Sequence, residues 1–149
     1  MRERGGAWVV AQSALVFLIV ASSRLPPRVH VAALGWLGIA LAASGAVVFV
    51  WSMRTLGRSF TMFPRPLPEH ELVTRGPYAL VRHPMYSAGI LFFGGVSLSF
   101  SWLGVALTGA LAVLWAAKAR VEERFLGERF PEYSDYRRRV RRRLVPFVY

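Results

Sequence analysis

The chain has 149 residues, of which 54% are hydrophobic and 18% charged, with a formal net charge of +11 and no cysteine. This is more apolar material than the core of a soluble domain of that size can enclose, so part of it must face lipid. The lack of cysteine argues against a secreted disulfide scaffold. The composition therefore predicts an integral membrane protein.

Three stretches contain no Asp, Glu, Lys or Arg, at residues 7–21, 31–51 and 86–117. The last has 32 residues, which as one straight helix would extend about 48 Å, well beyond a hydrocarbon core of about 30 Å. It must therefore fold back, and the predicted turn is at residues 97–102. The sequence thus predicts an all-α membrane protein with about four transmembrane helices.

Glycines are frequent in the predicted third and fourth helices. Gly89, Gly94, Gly95, Gly104 and Gly109 lie in this stretch. Small residues let helix backbones approach closely where lipid removes the hydrophobic drive for association. We expect these glycines to line the contact between the two helices of the hairpin.

The basic residues predict the orientation of the helices. With four spans, alternate sides of the membrane carry 17 and 2 of the 19 Lys and Arg side chains, and the richer side is expected to be cytoplasmic. Both termini and the loop of residues 54–83 are therefore predicted to lie in the cytoplasm. Arg2 and Arg4 before the first apolar stretch are also typical of a cleaved signal peptide, but we interpret that stretch as a membrane span.

The net charge has two interpretations. Residues 137–143 contain six arginines, a density that also occurs in nucleic-acid-binding segments. Just beyond a membrane span, such a cluster pairs with anionic lipid headgroups at about 1 kcal/mol per residue. Membrane lipid, and not nucleic acid, is therefore the expected partner.

The segment between the second and third apolar stretches carries the first polar groups of interest. Pro64, Pro66 and Pro68 at alternate positions forbid a helix and favour an extended path. Pro84 suits the first turn of the third helix, where its missing N–H has no cost. His83 and Tyr86 are therefore expected at the open end of the hairpin.

The fourth helix continues past its apolar part as a polar extension that Pro131 should end. Lys118 and Glu122 share one face of this extension by the helical period. Antiparallel helices place the start of one beside the end of the other. The sequence therefore predicts that His83 and Tyr86 converge with Glu122.

Each of these residues also has a simpler structural interpretation. Lys118 and Glu122 at i, i+4 are typical of a surface ion pair worth about 0.3–0.5 kcal/mol. His83 alone is typical of a capping histidine, and Tyr78 and Tyr86 are typical of aromatics at a membrane interface. Only their combination favours a functional site.

Other reaction classes lack their usual motifs. His30, His70 and His83 are the three histidines, and neither an i, i+4 pair nor a His-Glu-x-x-His spacing occurs, so no metal site is predicted. A nucleotide-binding glycine fingerprint, a Gly-x-Ser-x-Gly element and a phosphate loop are also missing. Hydride transfer, acyl hydrolysis and phosphate transfer are therefore poorly supported.

Several short motifs follow one another along the chain between residues 72 and 146. They are Arg75-Gly76-Pro77-Tyr78, Arg82-His83-Pro84-x-Tyr86-x-x-Gly89, Glu122-Glu123-x-x-Leu126, Phe130-Pro131-x-Tyr133-x-x-Tyr136, Val140 and finally Pro146. In this order and spacing the sequence resembles the isoprenylcysteine carboxyl methyltransferase family and its phospholipid methyltransferase relatives. The resemblance covers half of the chain.

The resemblance implies an S-adenosylmethionine-dependent methyltransferase that releases S-adenosylhomocysteine and acts on a lipophilic or lipidated acceptor from the bilayer. It implies a methyltransferase core at 54–149, comprising a cytoplasmic loop, a helical hairpin at 84–117 and a C-terminal helical extension, behind a two-helix anchor at 1–53. The implied cofactor-binding residues are His70, Glu71, Leu72, Val73, Tyr78, His83, Pro84, Met85, Tyr86 and Glu122. The implied catalytic residues are Lys118, Glu122 and His83.

The chain departs from the family pattern at two positions. Lys118 stands where the family has a substrate-linked arginine, and a lysine cannot form the bidentate fork that an arginine offers a carboxylate. Pro131 replaces a usual glycine.

The need for a general base depends on the acceptor. An amine or hydroxyl acceptor would need a base, for which His83 or Glu123 are the candidates. The alternative function is a non-catalytic membrane protein whose basic tail docks on anionic lipid or a partner.

Overall fold

The computed structural model describes residues 5–25, 31–65 and 69–144. Within these ranges the helices are α1 (Gly6–Ser22), α2 (Ala32–Leu56), α3 (Pro84–Phe100), α4 (Trp102–Arg129) and α5 (Tyr133–Arg139), with no strand. The all-α prediction is confirmed for this part of the chain. The sequence features that involve Arg2, Arg4, His30, Pro66, Pro68 and Pro146 lie outside it.

Two helices are long and apolar enough to span a membrane. They are α2 with its 3₁₀ continuation (Ala32–Ser59) and α4 (Trp102–Arg129), each of 28 residues. By contrast, α1 and α3 are apolar helices of 17 residues, which corresponds to about 26 Å of helix. The membrane character is therefore supported by two helices, and the four-span arrangement stays a prediction.

The turn between α3 and α4 consists of one residue, Ser101, within the predicted turn region. Its backbone is extended (φ −154°, ψ 120°), and its hydroxyl accepts a hydrogen bond of 3.1 Å from the backbone N–H of Gly104. This caps the first turn of α4, where backbone N–H groups lack partners within the helix. Helix α4 therefore starts directly after the chain reverses at Ser101.

Backbone contact between α2 and α3 depends on glycines of both helices. A Cβ atom on Gly45 would lie 2.6 Å from the backbone N of Phe92, and one on Gly95 would lie 2.4 Å from the carbonyl oxygen of Gly38. No side chain can be added at such distances without moving the helices apart. The prediction that Gly95 lines the α3–α4 contact is therefore wrong, because it faces α2.

Three of the predicted hairpin glycines do face the partner helix, among them Gly94, at which a Cβ atom would lie 3.8 Å from the Thr108 methyl group of α4. A Cβ atom on Gly89 would lie 2.6 Å from the Trp115 ring, and one on Gly104 would lie 2.8 Å from the Ser97 hydroxyl. Gly109 has no neighbouring atom within 4 Å, so its predicted contact role is wrong. At Gly104 the two helices therefore approach closely, and at Gly89 the Trp115 ring fills the space between them.

Helix α1 packs against α4 through a small apolar core. Ile19 of α1 is buried with Leu111 and Trp115 of α4. This packing aligns the first half of α1 with the polar end of α4. Gln12, one to two turns before Ile19, is thereby brought beside Lys118.

The end of the described chain returns to the start of α3. Helix α4 ends before Pro131, as predicted, and α5 buries Tyr133 and Tyr136 together with Val140. The following stretch, residues 140–144, is termed the C-terminal segment. Its backbone lies beside the residues that precede α3.

Candidate active site

A cavity of about 570 Å³ lies where α3 begins and α4 ends, with α2 and the loop after it forming one side. Its lining includes all but one of the residues predicted to bind a cofactor, and also Lys118. The exception is Pro84, which is buried at the first position of α3. The predicted site residues are thus brought to one cavity, with Pro84 shaping the helix start.

Three aromatic rings stack along one wall of this cavity. The rings of His83 and Tyr86 lie 5.7 Å apart at 10°, and those of Tyr86 and Trp115 lie 5.3 Å apart at 18°. Such offset stacking is a favoured aromatic geometry. The missing side chain of Gly89 leaves the space that Trp115 occupies. Tyr86 is therefore held between two rings.

The carboxylate of Glu122 joins α4 to the start of α3. Its Oε1 accepts a hydrogen bond of 2.5 Å from the Tyr86 hydroxyl, and its Oε2 lies 3.4 Å from Nδ1 of His83. The predicted convergence of these three residues is found in the structure. A negative charge is thus positioned at the cavity wall, with Glu122 only partly buried.

The adjacent carboxylate, Glu123, points to a different set of partners. Its oxygens accept hydrogen bonds from Arg82 Nε at 2.9 Å and from Arg143 Nε and Nη2 at 3.0 and 2.9 Å. His83 Nε2 lies 3.2 Å from the same carboxylate. Because two guanidinium groups occupy its oxygens, Glu123 is poorly placed to act as a base. Sequence reasoning did not find this cluster.

The protonation state of His83 follows from its position between two carboxylates. Burial disfavours the imidazolium and lowers the pKa of His83, but hydrogen bonds and charge attraction from Glu122 and Glu123 outweigh it, so the net effect raises the pKa. The ring is thus stabilised as a cation. His83 holds both acidic side chains of α4 in place.

The C-terminal segment fixes the residues before α3. Arg82 Nη1 donates to the carbonyls of Val140 and Arg141, both at 2.7 Å. The Ser87 hydroxyl also donates to the carbonyl of Leu144. Buried backbone carbonyls with charged donors give strong, directional bonds. The placement of the His83 ring therefore depends on chain that is distant in sequence.

The backbone N–H groups of Arg82 and His83 complete this attachment. They donate to the carbonyls of Arg142 and Arg143, each at 2.9 Å. The two segments, residues 82–83 and 142–143, are thus joined by backbone hydrogen bonds. Neither segment is assigned as a β-strand. No sequence signal near Pro84 indicates this pairing, because the partner lies about sixty residues away.

The segment of residues 70–73 forms the opposite rim of the cavity. His70 is buried, the Glu71 backbone N–H donates to the Ser59 hydroxyl at 3.0 Å, and Leu72 packs on the cluster formed by Tyr133 and Tyr136. These contacts hold an irregular backbone in a defined path. All four residues of this segment line the cavity.

Tyr78 also lines the cavity and is buried. Its carbonyl accepts a hydrogen bond of 2.7 Å from the Tyr136 hydroxyl. Burial, followed by the charge effects of Tyr136 and Glu122, raises the pKa of Tyr78 well above its ordinary value. Tyr78 therefore presents a neutral phenol.

Lys118 is buried with only 1% of its surface exposed. Its ammonium donates to Gln12 Oε1 at 2.9 Å and to the Met62 carbonyl at 2.7 Å. In the described part of the chain it forms no ion pair with Glu122, so the surface-pair interpretation is wrong. Sequence reasoning also missed Gln12, although a glutamine in an apolar helix signals that a polar partner is needed.

Among the described side chains, the Tyr133 hydroxyl is a buried group without a hydrogen-bond partner. Tyr133 is 3% exposed and lines the cavity. A buried hydroxyl left unpaired costs about 1–3 kcal/mol. Within residues 5–25, 31–65 and 69–144, no group of three or more metal-ligating side chains is arranged to hold a metal ion.

Fold and site together define a helical protein with membrane-type helices, in which a largely apolar cavity with a few charged side chains lies at the open end of a helical hairpin. Residues 34–133 match the family model described as phospholipid methyltransferase. The chain belongs to this family. The resemblance seen in the ordered motifs is thereby confirmed.

Curated relatives include a metal-resistance protein and isoprenylcysteine O-methyltransferases. The chain is 36% identical over 147 residues to the nickel-cobalt-cadmium resistance protein NccN of Alcaligenes xylosoxydans xylosoxydans, covering 93% of this chain and 63% of that protein. It is 35% identical over 118 residues to a probable protein-S-isoprenylcysteine O-methyltransferase of Oryza sativa subsp. japonica, covering 76% and 61%. It is 32% identical over 116 residues to protein-S-isoprenylcysteine O-methyltransferase B of Arabidopsis thaliana, covering 74% and 58%. The chain spans about six tenths of the length of these relatives.

Proposed function

We propose that this protein is an integral membrane methyltransferase that transfers a methyl group from S-adenosylmethionine to a lipophilic acceptor, such as an isoprenylcysteine carboxylate or a related lipid. The observation that carries the proposal is the bond of 2.5 Å between Tyr86 and Glu122, which closes the polar end of the hairpin around the cavity. Membership of the phospholipid methyltransferase family supports it.

We further propose that the chain crosses the membrane four times, with both termini and the site in the cytoplasm. The uneven division of basic residues, 17 against 2, supports this orientation. The shorter helices α1 and α3 are accommodated by local bilayer thinning, which costs only fractions of a kcal/mol per ångström of mismatch.

The cavity suits a cofactor of the proposed kind. Its volume of about 570 Å³ falls within the range of about 300–1,000 Å³ that is usual for small-molecule sites. S-adenosylmethionine carries cationic, hydroxyl and aromatic groups. The Glu122 carboxylate, the ring of Tyr78 and the unpaired hydroxyl of Tyr133 offer complementary partners for such groups.

The proposed tasks of the residues follow from their positions. Glu122 holds the ammonium or the ribose hydroxyls of the cofactor, and the backbone of residues 70–73 contacts its adenine. Tyr78 presents its ring face to the positively charged sulfur, an arrangement worth about 0.5–2 kcal/mol, because the faces of Tyr86 are covered by His83 and Trp115. When bound, the cofactor supplies the reactive methyl group. The protein then aligns the two reactants and excludes water.

The acceptor is proposed to reach the cavity from the bilayer. Phe49 and Val50 of α2 and Phe92 and Phe93 of α3 line its apolar side. Val50 is 46% exposed and Phe92 is 37% exposed on the outer surface, so this wall continues to the lipid-facing side of the helices. An apolar chain lying between α2 and α3 would carry its polar end to the site.

We propose different roles for the two parts of the chain. Residues 1–53 serve as the two-helix anchor, and residues 54–149 carry the methyltransferase core. The anchor also contributes Gln12 and Phe49 to the cavity lining. We therefore expect the core to depend on the anchor for a complete site.

The test is transfer of a labelled methyl group by the purified protein in liposomes. S-adenosylmethionine labelled in the methyl group is supplied with N-acetyl-S-farnesylcysteine, a fatty acid or phosphatidylethanolamine, and label is counted in the lipid extract. We expect transfer to at least one acceptor, its loss in Glu122→Ala, and its retention in Glu128→Ala, an exposed carboxylate of the same helix. No transfer and no protection from heat by S-adenosylhomocysteine would favour the non-catalytic alternative.

A further inference from the structure

Helix α5 and the residue after it have two faces with different surroundings. Tyr133, Tyr136 and Val140 recur at helical intervals and form a buried cluster, and the two tyrosines line the cavity. Arg137 and Arg139 lie between these positions in sequence and are exposed. One short helix therefore forms part of the cavity wall and part of a basic outer surface.

The exposed arginines of this surface have no acidic partner among the described side chains. Arg137, Arg139 and Arg141 form no ion pair there, whereas Arg138 pairs with Asp135. Like charges held this close repel one another, and together they attract an anionic surface. Their positive charge is therefore not neutralised by a described carboxylate.

The C-terminal segment places these arginines near the start of α3. The N–H groups of Arg82 and His83, directly before α3, donate to the carbonyls of Arg142 and Arg143 at 2.9 Å. The seven residues of α5 extend only about 10 Å. Attraction to anionic headgroups acts over about one Debye length, roughly 8–10 Å at physiological ionic strength. Because α3 is one of the proposed membrane spans, α5 lies within reach of the lipid surface.

Docking of the C-terminal segment gathers further positive charge. Arg82, Arg143 and His83 all contact the one carboxylate of Glu123, and the arginines of α5 lie directly before this segment in sequence. Their mutual repulsion opposes the docked arrangement, in which His83 and α5 complete the cavity wall. Anionic headgroups offset this repulsion most where the arginines are gathered, so they favour the docked state over one in which the segment is released.

We infer that the arginines of α5, together with Arg141, bind anionic lipid headgroups, and that this binding holds α5 and the C-terminal segment against the cofactor cavity. Anionic phospholipid is thereby an activator of the site, and neutral lipid leaves the repulsion in place. The inference rests on the proposed function and on the proposed four-span arrangement.

The experiment compares two lipid compositions around the full chain. Protein in nanodiscs of phosphatidylcholine, or of phosphatidylcholine mixed with phosphatidylglycerol, is titrated with S-adenosylhomocysteine. We expect at least about fivefold tighter binding in the anionic nanodiscs, or about 1 kcal/mol, and a smaller gain at high salt. Without any cofactor, hydrogen exchange at the backbone amides of Arg82 and His83 should be slower in the anionic nanodiscs, because these amides report docking of the C-terminal segment.

Matched charge variants separate this surface from basic residues in general. Arg137→Gln combined with Arg139→Gln should bring the affinities in the two lipids within about twofold. In phosphatidylcholine alone this variant should bind S-adenosylhomocysteine at least as tightly as the unsubstituted protein, because the repulsion is reduced. Arg54→Gln combined with Arg58→Gln removes the same charge from exposed positions around the end of α2 and should keep the full response to anionic lipid.

Equal affinity, or equal amide exchange, in the two lipids would overturn the inference, as would an unchanged response in the protein with Arg137→Gln and Arg139→Gln. The same gain from inorganic phosphate or from polyglutamate in phosphatidylcholine nanodiscs would also overturn it, because the surface would then serve a soluble anion. Each of these results, with S-adenosylhomocysteine still bound, leaves the proposed function standing. Failure to bind S-adenosylhomocysteine in every lipid would overturn the proposed function, and the amide exchange would then still test lipid docking by itself.

Discussion

The hydroxyl of Tyr86 donates a hydrogen bond of 2.5 Å to the carboxylate of Glu122, a residue 36 positions further along the chain on the facing helix. This bond joins the first turn of α3 to the polar end of α4. The second oxygen of Glu122 lies 3.4 Å from Nδ1 of His83. Both contacts of the carboxylate are therefore with residues at the start of α3. Its remaining surface lines the cavity, where a cofactor would meet it.

Removing the Tyr86 hydroxyl tests whether this orientation matters for binding. Tyr86→Phe keeps the ring between His83 and Trp115 but deletes the donor to Glu122. Glu122 then keeps its contact with His83 but loses the bond that fixes its other oxygen, so the affinity for S-adenosylhomocysteine should fall at least about tenfold, or about 1.4 kcal/mol. Calorimetry in detergent measures this, with the melting temperature as the control for folding. An unchanged affinity would show that Glu122 is held without Tyr86.

The two adjacent glutamates are expected to differ in what they stabilise. Glu123→Gln leaves the buried Arg82 without its carboxylate, and breaking such a pair costs about 3–5 kcal/mol. Glu122→Gln leaves no guanidinium unpaired, so its effect on unfolding should be much smaller. Thermal unfolding of both variants beside Glu128→Gln, an exposed control, measures the difference. Equal melting temperatures for the first two would contradict the assignment of Glu123 to the structural cluster.

The raised pKa of His83 predicts a specific dependence of stability on pH. A group whose pKa is higher in the folded state contributes its full stabilisation below its unfolded value, 6.5, and loses it as pH rises through the folded value. The unsubstituted protein should therefore keep its full advantage over His83→Asn below about pH 6.5 and lose it over the range above that value, as pH rises through the raised pKa. Melting temperatures across this range test the prediction. A constant difference between the two proteins would show that His83 does not titrate in this way.

The glycine contact between α2 and α3 predicts opposite effects for two alanine substitutions. Gly95→Ala places a Cβ atom 2.4 Å from the Gly38 carbonyl, where only a backbone shift can relieve it, at a cost of about 1–3 kcal/mol. Gly35→Ala meets no atom within 4 Å and should stabilise α2 by about 0.5–1 kcal/mol. The fraction that stays monodisperse after heating in detergent compares them. Equal behaviour would argue against the close helix crossing.

The unpaired hydroxyl of Tyr133 gives a prediction in which stability and binding separate. Tyr133→Phe removes a buried group that has no partner, so the free protein should be unchanged or more stable by up to about 1 kcal/mol. If a ligand in the cavity uses this hydroxyl, S-adenosylhomocysteine should raise the melting temperature of the variant less than that of the unsubstituted protein. The same ligand-induced shift in both would exclude this contact.

Helix positions could be predicted because their signals are local. The charge-free stretch 7–21 nearly coincides with α1 (Gly6–Ser22), the turn at Ser101 lies within 97–102, and α4 ends before Pro131. Each follows from the need to keep charges out of lipid or from the geometry of a single residue. Such constraints act over a few neighbouring positions, and the sequence alone expresses them.

The rotation of each helix could not be predicted in the same way. Helices that are apolar on every side carry no periodic pattern to show which face meets which neighbour, so the contact of Gly95 with α2 and that of Gln12 with Lys118 were not foreseen. Glu122 and Glu123 differ by only about 100° around α4. That the second binds Arg143 depends on the return of the chain end, which no local pattern indicates.

The central claim is that the cavity between the start of α3 and the end of α4 binds the methyl-donor cofactor. Calorimetric titration of S-adenosylhomocysteine into the purified protein tests it most directly. The account predicts one binding site per chain, lost in Glu122→Gln and retained in Glu128→Gln. No binding to the unsubstituted protein, or the same affinity in Glu122→Gln, would contradict it.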